Sequence, residues 1–294
     1  MKELDIKLGY ACNNNCLFCL NKDKRSFFHT TENLKKHIKS SALKGCKKLI
    51  VSGGEPLIYN NFFEILLYAK ECKIPLCEIQ TNGRALFYEN YVKEIQTIYP
   101  NISFLVSFHY PTNKMYQQYS QSNGFFQVLK GLENLNKFNL KFTINIVLFK
   151  GNIYYLKEIL KTLDEAKCKN IQFRFIDGGN VLEQFYDFVP RMKDAVKQVK
   201  ECIEDYSDKS IYIHEIPFCV LGKKMIKYSS PETNKNRENL NANKIILNSP
   251  EIMEQQFVFP NCDNCIHREQ CKGVRKTYFN MYGSNEINPI INKN

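Results

Sequence analysis

No apolar run in this 294-residue sequence approaches the roughly 20 residues that a membrane span needs; the richest stretches, such as Ile102–Phe108, are too short. The start, MKELDIKLGY, lacks the basic-then-apolar layout of a signal peptide, which makes the cytoplasm the expected compartment. No internal repeat is present beyond an alternation of β-rich and helical stretches. Acidic residues are in short supply, 30 Asp+Glu against 41 Lys+Arg, so the formal net charge is +11. That balance raises nucleic acid as a partner. Apolar residues are not scarce: at 44%, with 21 Phe and 17 Tyr, they suffice for a sizeable core and exclude global disorder. The 12 cysteines, in a compartment that keeps thiols reduced, point to metal ligation or redox chemistry rather than a disulfide framework.

Periodicity predicts strands at Leu4–Leu8, Lys48–Ser52, Leu76–Gln80, Ile102–His109, Lys141–Leu148 and Ile171–Ile176. Helices are expected near Thr31–Lys44, Asn61–Glu71, Tyr88–Tyr99, Phe125–Lys137, Ile153–Ala166 and Val189–Tyr206. Strands alternating with helices imply a parallel sheet with right-handed crossovers, open or curled towards a barrel. From about Ser207 the rhythm is lost, and Ser229–Asn243 reads as a polar, Asn-rich mobile loop. The expected organisation is therefore a core over residues 1–206 and a small cysteine-rich domain over 207–294.

Directly after the first strand stand Cys12, Cys16 and Cys19, spaced CxxxCxxC. Three thiolates in one loop can converge on a metal centre, and a [4Fe–4S] cluster normally takes four protein ligands. Three leave one iron open, which favours chemistry over storage. A zinc knuckle lacking its fourth ligand is the plainer alternative. At the end of the second strand comes Ser52-Gly53-Gly54-Glu55-Pro56, and after the third Thr81-Asn82-Gly83. With Phe18 before the last cysteine, these three motifs in order resemble the radical S-adenosylmethionine (radical SAM) superfamily over roughly residues 1–185. The resemblance implies a partial (β/α)6 TIM-like barrel, with the SAM amino group received by the backbone of Gly53, Gly54, Glu55 and Pro56. It also implies that one electron from the reduced cluster cleaves SAM to methionine and a 5′-deoxyadenosyl radical, which abstracts a substrate hydrogen. Reactive groups of such barrels gather at the C-terminal ends of the strands, where all three motifs lie.

Alternation along strands divides apolar Ile102, Phe104, Val106 and Phe108 from Ser103, Leu105, Ser107 and His109, and repeats the division on the third, fifth and sixth strands. The polar face suggests a solvated cavity lined by Glu78, Gln80, Ser107, His109, Asn145, Gln172 and Arg174. By the resemblance, Ser107 and Asn145 stand where relatives contact the ribose or carboxylate of SAM. Arg174 is a candidate carboxylate clamp, with an internal ion pair to Glu78 as the alternative. His109 is a candidate acid/base, equally readable as a hydrogen-bonded structural histidine. Cys46, Cys72, Cys77, Cys168 and Cys202 have no ligand spacing and read as small buried hydrophobes.

A second set, Cys262, Cys265 and Cys271, has the spacing CxxCxxxxxC and needs a fourth ligand, for which Cys219 is the natural candidate. This resembles the auxiliary [4Fe–4S] appendages called SPASM and twitch. Arg275 stands where SPASM has its next cysteine, so one auxiliary cluster, the twitch-like case, is expected; a four-cysteine zinc site is the rival. The leading functional reading is a radical SAM oxidoreductase or maturase acting on a ribosomally made peptide or a small molecule. A flavodoxin- or ferredoxin-type electron donor is the expected partner, which the basic surplus would help to dock. A first strand beginning by residue 4 leaves no N-terminal leader-binding domain, so a peptide would need recognition elsewhere. A tRNA- or nucleic-acid-modifying enzyme is the alternative, but the basic patches Lys22–Arg25 and Lys223–Lys227 are short and carry no RNA-binding motif.

Overall fold

Alternating burial is the local rule that builds the sheet. Ile102–Ser107 (β4) buries every second residue, with Ile102, Phe104 and Val106 at 3% exposure or less and Ser103, Leu105 and Ser107 half-buried. Leu76–Thr81 (β3), Lys141–Leu148 (β5) and Asn170–Phe175 (β6) repeat the pattern. Glu3–Lys7 (β1) and Lys48–Ser52 (β2) are more closely covered. The apolar faces suit the helices Thr31–Leu43 (α1), Phe62–Glu71 (α2), Glu89–Ile98 (α3), Asn113–Ser120 (α4), Phe125–Lys137 (α5), Leu156–Glu165 (α6) and Met192–Asp205 (α7). α1 begins where the Thr30 hydroxyl accepts the Asn33 amide at 3.2 Å and is followed by Gly45 at φ +83°.

The structure, a computed structural model, describes residues 1–176, 183–229, 237–240, 245–247, 256–257, 259–271 and 273–291. By its contacts the chain divides into two units. The first comprises Met1–Ile144, Leu163–Cys168 and Thr233–Asn248; the second comprises Asn145–Thr162, Lys169–Glu232 and Ser249–Asn294. In the first, the strand order is β5-β4-β3-β2-β1-β8-β9, where β8 is Arg237–Leu240 and β9 is Ile245–Leu247. β1 pairs in parallel with both β2 and β8, β3 runs parallel to β2 and β4, and β9 is antiparallel to β8. In the second unit β6 lies between β5 and Ser210–His214 (β7), to which it is parallel. The second unit also holds the short helix Phe218–Leu221, a two-stranded ribbon of Gln256–Phe257 and Val274–Arg275, and a last helix, Lys276–Tyr282. Among the described residues no helix is long and apolar enough to cross a membrane.

Three elements differ from the sequence reading. β8 lies within the segment read as a loop, because RENL has no apolar alternation: only Leu240 is buried, and an Arg237–Glu3 ion pair of 2.7 Å fixes its start. β7 continues the strand series beyond Ser207 on two buried isoleucines, Ile211 and Ile213. α4 is polar (NKMYQQYS) and buries only Tyr116 and Ser120. Its start is nonetheless marked by Thr112, whose hydroxyl accepts the Met115 amide.

Candidate functional site

The cysteine loop leaves β1 and is at once gripped by the glycine turn after β2. The Gly54 amide donates to the Gly9 carbonyl and the Glu55 amide to the Ala11 carbonyl, both at 2.8 Å. The approach is so close that a Cβ on Gly53 would run into the Gly9 carbonyl oxygen. A Cβ on Gly54 would run into those of Tyr10 and Ala11. Gly53 also sits at φ +128°, outside the range of ordinary side chains. The glycines therefore make room for the cysteine loop itself.

Glu55, only 2% exposed, ties this turn to the next. Its carboxylate accepts from the Leu57 amide (3.0 Å), the Thr81 hydroxyl (2.7 Å) and the Asn82 amide (2.6 Å). Its side chain is thus committed inside the protein, and only its backbone remains for a cofactor. Burial pushes the carboxyl up from its ordinary 4.5 to about 7, against the downward pull of those donors and of Arg84. A raised carboxyl is a stability contribution fully present below pH 4.5 and lost as pH rises to 7, on the order of 3 kcal/mol. In Glu55→Gln that loss should vanish. At pH 5 the amide nitrogen, facing the Asn82 N–H or another donor, should cost about 2 kcal/mol, a gap that narrows by pH 8. Urea unfolding at the two pH values measures both effects.

The third turn reaches back to the cysteines. Asn82 Nδ2 lies 2.7 Å from Asn13 Oδ1 and 3.7 Å from Cys12 Sγ, which also accepts the Asn14 amide at 3.4 Å. Arg84, which sequence reasoning passed over, donates through Nη1 to the Asn13 carbonyl and to Asn14 Oδ1, and through Nε to Gln127. Asn14 is buried and additionally bonds Tyr116 and Ser122. The end of α4 accepts the loop's amides, Asn15 on the Ser120 carbonyl and Leu17 on that of Tyr119. The one signal for Arg84 was its place next to Thr81-Asn82-Gly83, and for α4 its Thr112 cap.

Within this frame the thiols feel one another. Burial pushes Cys16 up to about 12, helped by the neighbouring charges of Cys12 and Cys19 and opposed by Arg25. Burial likewise raises Cys12, with Glu55 adding and Arg25 opposing. Among the described residues no three His, Cys, Asp or Glu side chains stand where they could hold a single metal ion. A lone ion draws its sulfurs to about 2.3 Å from one point, whereas a four-iron cluster takes its thiolates at separate corners. Three thiols within one loop, with Cys12 and Cys19 near enough to Cys16 for it to feel their charge, suit such a cluster. Beside them stands the Arg25 guanidinium, whose Nε and Nη2 are buried with no hydrogen-bond partner among the described residues.

The other expected site residues divide by unit. Ser107 is half-buried at the end of β4, and His109 lies buried between Phe18 (centroids 5.9 Å) and Tyr110 (5.7 Å). Burial lowers His109 to about 4, so its imidazole is neutral at physiological pH. Glu78 pairs with Lys48 at 2.6 Å and accepts from Gln80. In the second unit Asn145 accepts from Gln172 at 3.0 Å, and half-exposed Arg174 lies 3.9 Å from Glu215.

The second cysteine set lies wholly in the second unit. Burial pushes Cys219 up to about 11, and Cys271, Cys262 and Cys265 each raise it further by their charge. Cys265 N–H donates to the Cys262 carbonyl at 2.9 Å and Cys271 N–H to that of His267 at 2.8 Å, two turns that bring the thiols back on themselves. The His267 ring meets Phe218, beside Cys219, edge-on at 5.1 Å. Arg275 is instead bound to Glu215 at 3.3 Å, with the two side chains 11% and 14% exposed.

Residues 6–166 match the Radical SAM superfamily, more than half of the chain. The chain belongs to that superfamily. Among curated proteins it is 30% identical over 182 residues to a GTP 3′,8-cyclase of Aliarcobacter butzleri, covering 59% of this chain and 54% of that protein. It is 29% identical to the uncharacterized protein MJ0907 of Methanocaldococcus jannaschii, covering 59% and 62%. The chain thus spans between half and two thirds of the length of these relatives. Two radical SAM structures share the fold. One is anSMEcpe with bound AdoMet (TM-score 0.71, 17% identity, 93% of this chain and 89% of that one). The other is Streptococcus suis SuiB bound to its precursor peptide SuiA (0.61, 19%, 73% and 49%). A radical SAM protein is an enzyme that uses SAM and a [4Fe–4S] cluster.

Proposed function

We propose that this radical SAM protein is a peptide maturase or oxidoreductase with one auxiliary [4Fe–4S] cluster of the twitch type. Cys12, Cys16 and Cys19 would hold the core cluster, with the backbone of Gly53–Pro56 beside it for SAM. Cys219, Cys262, Cys265 and Cys271 would hold the second. Bound there, SAM and the core cluster supply a 5′-deoxyadenosyl radical. The chain's own part is to fix the thiols, exclude water and keep His109 neutral near Phe18. The observation that supports the auxiliary reading is that Cys219 lies near enough to Cys271, Cys262 and Cys265 for their charges to raise its thiol. The buried Arg275–Glu215 pair supports a single such cluster, since it fills the position of a further ligand. A peptide substrate is supported by the fold neighbours crystallised with peptides, SuiB with SuiA and anSMEcpe with Cp18Cys. A second reading, a nucleotide-like small molecule, is favoured by the curated relatives named GTP 3′,8-cyclase.

Anaerobic reconstitution should give about eight irons per chain, and Cys219→Ser about four. Four irons with one zinc in the wild type would sink the auxiliary cluster. For the substrate, reduced enzyme with SAM should change the mass of a short peptide encoded beside its gene and leave GTP intact. Conversion of GTP with no peptide modified would decide for the second reading.

A further inference from the structure

Of the basic run Lys22–Arg25, three side chains face solvent and one does not. Lys22–Lys24 form a single 3-10 turn with no buried residue. Arg25, which closes that turn, is half-buried, and its Nε and Nη2 have no contact with solvent and no hydrogen-bond partner among the described residues. Two buried donors left without acceptors are destabilising, the more so for a charged group. A native site keeps them only if something absent from the bare chain accepts them. These two nitrogens form the side-on edge of the guanidinium, whose parallel N–H bonds suit two acceptor atoms in one plane.

Arg25 sits in a fixed stretch of chain beside the cysteine loop. The chain on either side is fixed: the Phe27 amide donates to the Lys24 carbonyl and the Tyr10 amide to the Phe27 carbonyl, both at 2.9 Å, and Phe27 packs on Tyr10 at 5.9 Å. Arg25 is thereby held against the start of the cysteine loop, and its positive charge is felt by Cys12 and Cys16. We infer that Arg25 donates its Nε and Nη2 hydrogens to sulfur atoms of the core cluster at the Cys12–Cys16 side, and so stabilises the reduced cluster. The reduced form carries one more negative charge than the oxidised form, so a fixed cation and two N–H···S bonds favour it and raise the potential. Arg25 is a positioning and tuning residue; it takes no part in bond cleavage. The segment that reads in sequence as a basic patch then serves the cluster, with only Lys22, Asp23 and Lys24 turned to solvent.

The inference rests on the reading that Cys12, Cys16 and Cys19 hold an open-iron cluster, and its test separates the two. Holoprotein is titrated anaerobically with dithionite, and the core cluster is recognised as the paramagnetic signal that changes when SAM is added. In Arg25→Gln with full iron content, the equilibrium constant for one-electron reduction should fall at least tenfold, about 59 mV. Arg25→Lys, which keeps the charge and loses the fork, should fall between the two. A wild-type potential in Arg25→Gln overturns the inference while leaving the cluster assignment intact. Should Arg25→Gln fail to load iron, Arg25→Lys decides: a wild-type potential overturns the fork, a lowered one supports it. Wild-type protein with no SAM-responsive signal removes the cluster assignment itself, before any variant is made.

Discussion

Gly54→Ala is expected to leave the protein without its core cluster. The added Cβ has nowhere to go: it meets the carbonyl oxygens of Ala11 and Tyr10, which belong to backbone and cannot swing aside. Relief requires the turn after β2 to part from the cysteine loop. That breaks the bonds from Gly54 N–H to Gly9 and from Glu55 N–H to Ala11, both 2.8 Å in the native chain. The destabilisation should be about 3 kcal/mol, the upper range of overpacking. The larger effect is functional, because the loop so displaced carries Cys12 two bonds further on. Reconstituted iron should fall from about eight to about four per chain. Gly45→Ala is the matched control. Gly45 also has a positive φ, +83°, but nothing lies within 4 Å of its Cβ position. It should cost about 1 kcal/mol of left-handed strain and keep all its iron. Gly54→Ala protein with full iron and wild-type stability would show that the turn does not grip the loop.

Why the glycines, the cysteines and the strands were legible, and much of their support was not, has a physical reason. A half-buried strand writes itself into sequence as period-two burial, so β4 and β5 could be read almost to the residue. Three motifs at successive strand ends gave the core site for the same reason: each is local in sequence. The bracing is not local. Arg84 reaches Asn13 and Asn14 across some seventy positions, and α4 supports the loop through backbone carbonyls, which any residue possesses. Glu55 shows the intermediate case. Its place in a motif was plain, but the commitment of its side chain to Thr81 and Asn82 was not, and it is this bond pair that makes two motifs one structure. Beyond β6 the signal weakens further, since β8 is held by an ion pair and a parallel register rather than by apolar alternation.

Cys16→Ala should reduce 5′-deoxyadenosine release by at least about a thousandfold, the scale of losing a cofactor rather than a contact. Cys16 is the middle thiol of the three. It is raised to about 12 by burial first and then by both neighbouring cysteines, so its thiolate does not persist without a cation. A metal centre reverses that balance, because a coordinating thiol is deprotonated outright. On the proposed assignment, removing it leaves two thiolates for a cluster that would take three from this loop, and the remaining pair should not hold four irons against a chelator. The loop itself should survive the change, since its frame runs through Asn13, Asn14, Asn15 and Leu17 and uses no Cys16 sulfur. The loss can therefore be assigned to the cluster: circular dichroism and thermal unfolding of the apoprotein should match the wild type within about 1 kcal/mol. The auxiliary irons, about four, should remain. Cys46→Ala provides the contrast. Cys46 is 4% exposed and its thiol donates to the Lys48 carbonyl, as a small hydrophobe would sit at a strand entrance. It should keep all its iron and its SAM cleavage while losing about 1 kcal/mol of stability. Release of 5′-deoxyadenosine at the wild-type rate from Cys16→Ala would mean that the radical chemistry of this chain lies elsewhere than in the loop after β1.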